Sequence, residues 1–428
     1  MHHRRTSRFK TSQLDLFLSF PLQRFHNTQV ALLSRMLERG TMRHPSLRAL
    51  NAYVDSLYGA SYSSSVGKFG PRQVIHLNME LVSSRFVPGS CDQLLAGIDF
   101  FSEILCEPRV EEGGFPATSL DQEKTALRQT ITNLFSDKLA LARSRCIEEM
   151  CRDEPCGLPA LGDPNDFERI DAESLLSFHR RLVTVNRISL YVTDNQSLEE
   201  VAAICRDRFA WMAAGGSVVA SEVVGGHLDG GALGITGFSQ VSLPRRISEF
   251  QEVQQGRIIL GYRTPVRFAD QHYPALLLLN QVLGGDANSR LYRRLREEAG
   301  LCYHSESFIE PSCGLLFVEA SVDSADCDAT ISLIEAEMTE IATDPLGEGE
   351  LEQSRLSLIN RLEAMDEDRS ALVSFNYTRI LDSLNTSRVD LRRELEDVSA
   401  EDVMQVARQL VHDTRYTLQS QKDREPYA

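Results

Sequence analysis

Residues 283–303, LGGDANSRLYRRLREEAGLCY, place a glycine turn, an amphipathic helix, a helix stop and the start of a strand in one run. Gly284 and Gly285 are expected to supply backbone angles that a side chain would forbid. Asp286, Asn288 and Ser289 are helix-capping types. Leu291 and Leu295 stand four apart on one helical face, and Gly300 ends the helix. Leu301, Cys302 and Tyr303 then begin an extended run, so Arg296 and Tyr303 flank the turn from helix to strand.

Working outward, the same order of elements occurs twice. The first half reads as a strand at 12–22, helices at 29–39 and 46–57, and strands at 60–67 and 74–81. A helix at 91–105, a long helical tract at 119–150, a helix at 171–182, a strand at 187–193 and a helix at 197–209 complete it. Residues 213–237, AAGGSVVASEVVGGHLDGGALGITG, shift to glycine and small side chains and read as a linker. Beyond it come a strand at 257–262, helices at 273–283 and 289–299, strands at 302–309 and 315–322, and helices to about residue 410. Setting SLYGASYSSS against EEAGLCYHSE aligns Gly59 with Gly300, Tyr62 with Tyr303 and Asp55 with Arg296. The chain is therefore read as two homologous α+β domains, 1–212 and 238–428, each a largely antiparallel sheet covered by helices on one face.

At 428 residues and a formal charge of −16, the chain has room for two cores, and its acidic field disfavours nucleic acid and anionic membrane surfaces as partners. No apolar run approaches the length of a membrane span. The nine cysteines are odd in number and show no C-x-x-C spacing, so they read as reduced, mostly buried thiols of a cytoplasmic protein. Among ten histidines no pair stands at i, i+4, and there is no Gly-x-Ser-x-Gly elbow. Gly284-Gly285 lacks the lysine of a P-loop and the third glycine of a dinucleotide fingerprint. It reads either as a tight turn between packed helices or as a peptide contact.

The pattern Gly-Gly-x-x-x-Ser-Arg-Leu followed by Leu-Arg-Glu-x-x-Gly-Leu-x-Tyr resembles the carboxy-terminal domain of the pitrilysin and mitochondrial processing peptidase superfamily, the inverted zincins. The resemblance extends over nearly the whole chain and implies a half-clam of two domains. It also implies that Arg296 and Tyr303 match the substrate-binding arginine and tyrosine of the family. Active members carry H-x-x-E-H on the helix before Gly-Thr of the first domain, two zinc ligands and a water-activating glutamate. Counted back from Gly40-Thr41, those positions hold Ala31, Ser34 and Arg35, and the third ligand falls near Gln129. None can serve zinc, so this chain is expected to bind no cofactor, with zinc in a partner subunit.

By that resemblance the chain is the non-catalytic, substrate-binding subunit of a heterodimeric zinc peptidase. A homologous H-x-x-E-H subunit would be its partner and a peptide its substrate, with Gly284, Gly285, Arg296 and Tyr303 contributed in trans. Two alternatives stay open. The same fold could be a scaffold or peptide-binding protein with no part in proteolysis, Tyr303 then lying in the core and Arg296 in an ion pair. A cryptic metal site formed by folding is the other.

Overall fold

The alternation in TSQLDLFLSFP decides how the first sheet is built. In strand β2 (Thr11–Pro21), Leu14, Leu16, Leu18 and Phe20 project to one face and are buried there. The computed structural model describes residues 1–88, 92–185, 187–211, 243–382, 384 and 386–421; the expected linker 213–237 lies outside them. β2 is flanked by β1 (His2–Arg5), β3 (Ser61–Phe69), β4 (Arg72–Val82) and β5 (Arg187–Asp194) in the order β1-β5-β2-β4-β3. Only the β1–β5 pair is parallel. The register sets Leu14 opposite Met79 and Val192, and Leu16 opposite Leu77 and Leu190, which aligns the apolar sets of three strands on one face.

That face is covered by helices α1 (His26–Met36), α2 (Leu47–Ser56), α3 (Gln93–Cys106), α4 (Ala117–Leu134), α6 (Ala172–Val185) and α7 (Leu198–Arg208), all of which contribute to one core. Capping follows the sequence where polar residues precede the helices. Asp92 accepts from the amides of Leu94 and Leu95, and Ser197 with Glu200 forms a capping box. His179 of α6 sits in this core against Phe115 and has no hydrogen-bond partner on either ring nitrogen among the described residues. Burial lowers its pKa from 6.5 to about 4.

The second sheet repeats the first. Strands β6 (Arg245–Gln251), β7 (Gly256–Arg263), β8 (Cys302–Glu310), β9 (Leu315–Val322) and β10 (Val411–Ser420) run in the order β6-β10-β7-β9-β8, again with one parallel pair, β6–β10. One face, with Ile258, Leu260, Val318 and Ala320, packs on helices α8 (Tyr273–Asn280), α9 (Cys327–Thr343), α10 (Glu348–Ala364), α12 (Arg388–Asp397) and α13 (Ala400–Arg408), and α11 (Arg369–Leu381) lies alongside α12. The two matching sheets agree with the α+β duplication read from the sequence, although β1, β6 and β10 were not among the expected strands.

The second sheet is not covered on one face only. Its other face, with Ile259, Phe317, Tyr416 and Leu418, packs on Leu141, Ala142, Cys146 and Met150 of helix α5 (Lys138–Met150). This explains why β9, LLFVEASV, is buried at every position, whereas β4 alternates from His76 to Val82. The expected tract 119–150 is thus two helices, parted at Ser136 and restarted by Asp137, whose carboxylate accepts from the amides of Leu139 and Ala140. The chain forms two units, Met1–Thr132 with Leu158–Asp229 and Asn133–Gly157 with Gly230–Ala428. Residues 133–157, inside the span 1–212 read as the first domain, pack with the second unit.

Polar contacts hold this segment at both ends. Arg143 forks onto Glu319 of β9 at 2.6 and 2.8 Å, reaches Glu306 at 3.1 Å and lies over the Phe308 ring. At the C-terminus of α5, Arg245 donates to the Glu149 carbonyl and Arg263 to the Met150 carbonyl, and both guanidinium groups meet buried Asp413. Cys156 is joined to Cys313 by a disulfide. This corrects the expectation of nine unpaired thiols, because two cysteines 157 positions apart meet only when the segment crosses the sheet. Cys106, Cys146, Cys151, Cys205, Cys302 and Cys327 remain thiols; Cys91 lies outside the described residues.

Two stability experiments follow. Glu319 is 0% exposed, and Arg143→Met strands its charge; with 38% of the Arg143 side chain exposed, the loss expected is about 2–3 kcal/mol, below the range for a fully enclosed pair. Urea unfolding should show that loss, and a second change, Glu319→Leu, should recover most of it. For His179 the folded pKa is depressed, so its contribution is complete above pH 6.5 and is lost as pH falls toward 4, about 3 kcal/mol in all. His179→Leu should flatten the urea midpoint between pH 7 and pH 4.5; an unchanged slope contradicts this assignment.

Candidate functional site

The glycine turn is built by close approach, which corrects the reading from backbone angles. Gly284 has φ −153° and ψ 23°, outside the left-handed region, within the π-helical turn Gln281–Gly285 that continues α8. A Cβ on Gly284 would lie 2.5 Å from the amide nitrogen of Ser307 on β8, and one on Gly285 would lie 2.6 Å from the Gln281 side-chain oxygen. Glycine lets the helix end rest directly on the strand. Asp286 ties the turn together, accepting from the Asn288 amide at 2.8 Å, the Gln281 side chain at 2.5 Å and the Ser357 hydroxyl at 2.9 Å. These contacts support the packed-turn reading of Gly284 and Gly285.

The helix that follows is also π-helical, over Tyr292–Glu298. It closes with the Ala299 amide on the Arg294 carbonyl and the Leu301 amide on the Leu295 carbonyl, while Gly300 takes φ +65°. Gly59, its counterpart in the first half, takes φ +74°. Along this helix the arginines divide. Arg290 is buried and holds Glu350 with two hydrogen bonds at 2.8 and 2.9 Å. Arg293 and Arg294 pair with Glu350, Glu337 and Glu340. Arg296 forms no ion pair among the described residues; its exposed guanidinium lies 5.0 Å from the Tyr292 ring.

Tyr303 is 60% exposed. It stands where the β8–β9 register slips between Cys302 and His304, so a bulge at the sheet edge turns it out of the ladder. Its counterpart Tyr62 is partly buried, donates its hydroxyl to the Leu37 carbonyl, and is held neutral by burial. Equivalent tyrosines therefore differ, one packed into a core and one presented to solvent.

The zinc-motif positions tell the complementary story. Ala31 and Ser34 are buried in α1, and the Ser34 hydroxyl meets that of Ser64 at 2.9 Å. Arg35 reaches the Glu123 carboxylate at 2.5 Å, and Arg39 occupies its second oxygen. An alanine, a serine and a guanidinium offer zinc no ligand set, and the buried carboxylate facing them is already neutralised by two cations. Gln129 is exposed on α4, whose buried face is Leu120, Glu123, Leu127 and Ile131. Glu123 was missed in the sequence, yet a signal was there: a lone carboxylate in register with an apolar stripe.

Elsewhere, His304, Glu306 and Glu319 bring metal-ligand atoms within 4.8 Å of one another. Arg143 contacts both carboxylates, and a guanidinium at that point competes with any cation.

With this geometry in place, residues 169–358 match the model of the peptidase M16 inactive domain. A Bacillus subtilis protein named probable inactive metalloprotease YmfF is 27% identical over 417 residues, 97% of this chain and 95% of its own. An uncharacterized zinc protease of Mycobacterium bovis is 26% identical over 312 residues, 71% of this chain and 67% of its own. Among solved structures, a conserved protein from Enterococcus faecalis superposes with TM-score 0.84 at 20% identity, covering 99% of this chain and 96% of that one. A peptidase M16 inactive domain from Pseudomonas fluorescens does so with TM-score 0.75 at 17% identity, covering 99% and 96%. The fold is shared with these structures, and Ala31, Ser34 and Arg35 offer zinc no ligand set. Over residues 169–358 the chain is similar to the inactive domain of the M16 peptidases, and over nearly its whole length to a protein named probable inactive metalloprotease.

The glycine assignment is checked by Gly284→Ala. The added methyl meets backbone, so a loss of about 1–3 kcal/mol is expected in urea unfolding. A neutral outcome would return the turn to the peptide-contact reading.

Proposed function

We propose that this protein is the substrate-binding subunit of a heterodimeric zinc peptidase, presenting Arg296 and Tyr303 to a peptide held by a homologous H-x-x-E-H subunit. The observation that carries it is the contrast within one helix. Arg290, Arg293 and Arg294 are used in ion pairs, whereas Arg296 is exposed and without one among the described residues. Tyr303, turned outward at a bulge, argues the same way, since the structural alternative needs a buried tyrosine and a paired arginine.

In this reading the partner's zinc supplies the activated water. Arg296 orients and polarises the scissile carbonyl, a fixed guanidinium in a site from which the substrate displaces water. The Tyr303 hydroxyl donates a hydrogen bond to the oxyanion that develops at the same carbonyl. The negative charge of the chain suits a neutral or cationic peptide. No helix among the described residues is long and apolar enough to cross a membrane, and a cytoplasmic location, with six cysteines as thiols, is part of the proposal.

The test is peptide cleavage by this chain alone, by its co-purified H-x-x-E-H partner alone, and by the two mixed. Activity is expected in the mixture only. Arg296→Ala and Tyr303→Phe should each lower kcat/KM by about 10²–10³ with the heterodimer still formed on size exclusion. Full activity of the partner alone, or of the Arg296→Ala complex, would assign the chain to a scaffold role.

A further inference from the structure

A cavity of about 210 Å³ opens in the second unit between α8, α10, α11 and α12. Its wall is mainly apolar, with Phe268, Leu277, Leu362, Met365 and Phe375 around the opening and Leu391 and Leu395 at its buried side. Two cations reach the same space, Arg361 of α10 and Arg379 of α11.

Arg379 is the unusual one. It is 6% exposed, its Nε donates to the Thr386 carbonyl at 2.9 Å, and its guanidinium lies 3.6 Å from the Phe375 ring centre. It forms no ion pair among the described residues. Arg361 is exposed and donates only to the Gln281 side chain, at 3.3 Å. The arginines of α10 and α12 that do not line the cavity behave otherwise. Arg355 pairs with Glu352, Arg388 with Asp366, and Arg392 with Glu363 and Glu396. The arginines outside the cavity are thus ion-paired, whereas the two that line it form no ion pair among the described residues, Glu394 acting on Arg379 only at a distance. A buried guanidinium left without a counter-ion is costly to keep. Tyr273 completes the polar set, its hydroxyl kept a neutral donor by burial, which pushes its pKa up to about 12.

An apolar chamber with a few convergent polar groups is the common design of a small-molecule site. This one is smaller than the roughly 300 Å³ at which drug-sized ligands begin. We propose that the cavity binds a medium-chain aliphatic carboxylate, its tail among Phe268, Leu277, Leu362 and Met365 and its headgroup on Arg379 and Arg361. The complementarity is of both kinds, an apolar tail for the walls and one negative charge for two cations that form no ion pair among the described residues. The site stands independently of the roles given to Arg296 and Tyr303.

The experiment is isothermal titration of the full chain with butyrate, hexanoate and octanoate, and with octanamide as the uncharged control. Affinity should rise about fourfold per methylene along the acid series, as expected for buried methylenes. Octanamide should bind at least tenfold more weakly than octanoate. Leu362→Trp, which fills the chamber, should abolish binding with the circular dichroism spectrum unchanged, and Arg361→Gln should weaken it. Arg379→Met should weaken it further, and if that variant does not fold, the other two decide. Equal binding of octanamide, octanoate binding that survives Leu362→Trp, or no heat with any acid would each overturn the proposal.

Discussion

Glu319 is the charged residue of a mostly apolar, fully buried strand, and it can remain ionised there only if a cation is brought to it. The cation is Arg143, 176 positions earlier in the chain. Much of the second unit follows from this requirement. The helix carrying Arg143 must lie across the sheet, so its apolar face covers Ile259, Phe317 and Leu418, and β7 and β9 can be apolar on both sides. Arg245 and Arg263 then meet the end of that helix, and Cys156 arrives beside Cys313. The strand that this assembly fixes from behind, β9, is the one that β8 and its outward Tyr303 pair with.

The first unit solves a related electrostatic problem with the opposite result. At the end of α1 and just beyond it, positive charge is supplied by Arg35 and Arg39, and the carboxylate opposite them is Glu123. Protein cations neutralise the buried anion, and α1 stays fastened to α4 without a cofactor. In the second unit the tyrosine after the helix-ending glycine is exposed, and in the first it is packed. Tyr62 and Tyr303 show this in one comparison, a core hydroxyl bonded to a carbonyl against one turned to solvent.

The duplicated α+β fold was legible because Leu14, Leu16, Leu18 and Phe20 recur at every second position of β2 and because Gly59 and Gly300 end a helix the same way, both at positive φ. The strands β1, β6 and β10 were not, since HHRR, RRISEFQ and VHDTRYTLQS owe their state to the strand beside them rather than to a period of their own. The tract 119–150 was read as helical, and nothing in it told that α5 is a separate helix or what it packs against. Arg296 and Tyr303 were found from motif spacing, but their exposure is a property of the bulge and of where the neighbouring glutamates fall. Cys156 and Cys313 are too far apart in sequence for spacing to pair them.

The placement of α5 also sets an order of events during synthesis. Its apolar face, Leu141, Ala142, Cys146 and Met150, leaves the ribosome while the strands that cover it are still untranslated. β9 follows roughly 165 residues later, which at ordinary elongation rates is on the order of ten to thirty seconds. For that interval the nascent chain carries an uncovered apolar helix between the two segments of the first unit, whose second segment is itself made only after α5. The half-made protein is thus the form most exposed to aggregation and to chaperone capture, and it escapes both only when its last strand, β10, closes over the helix.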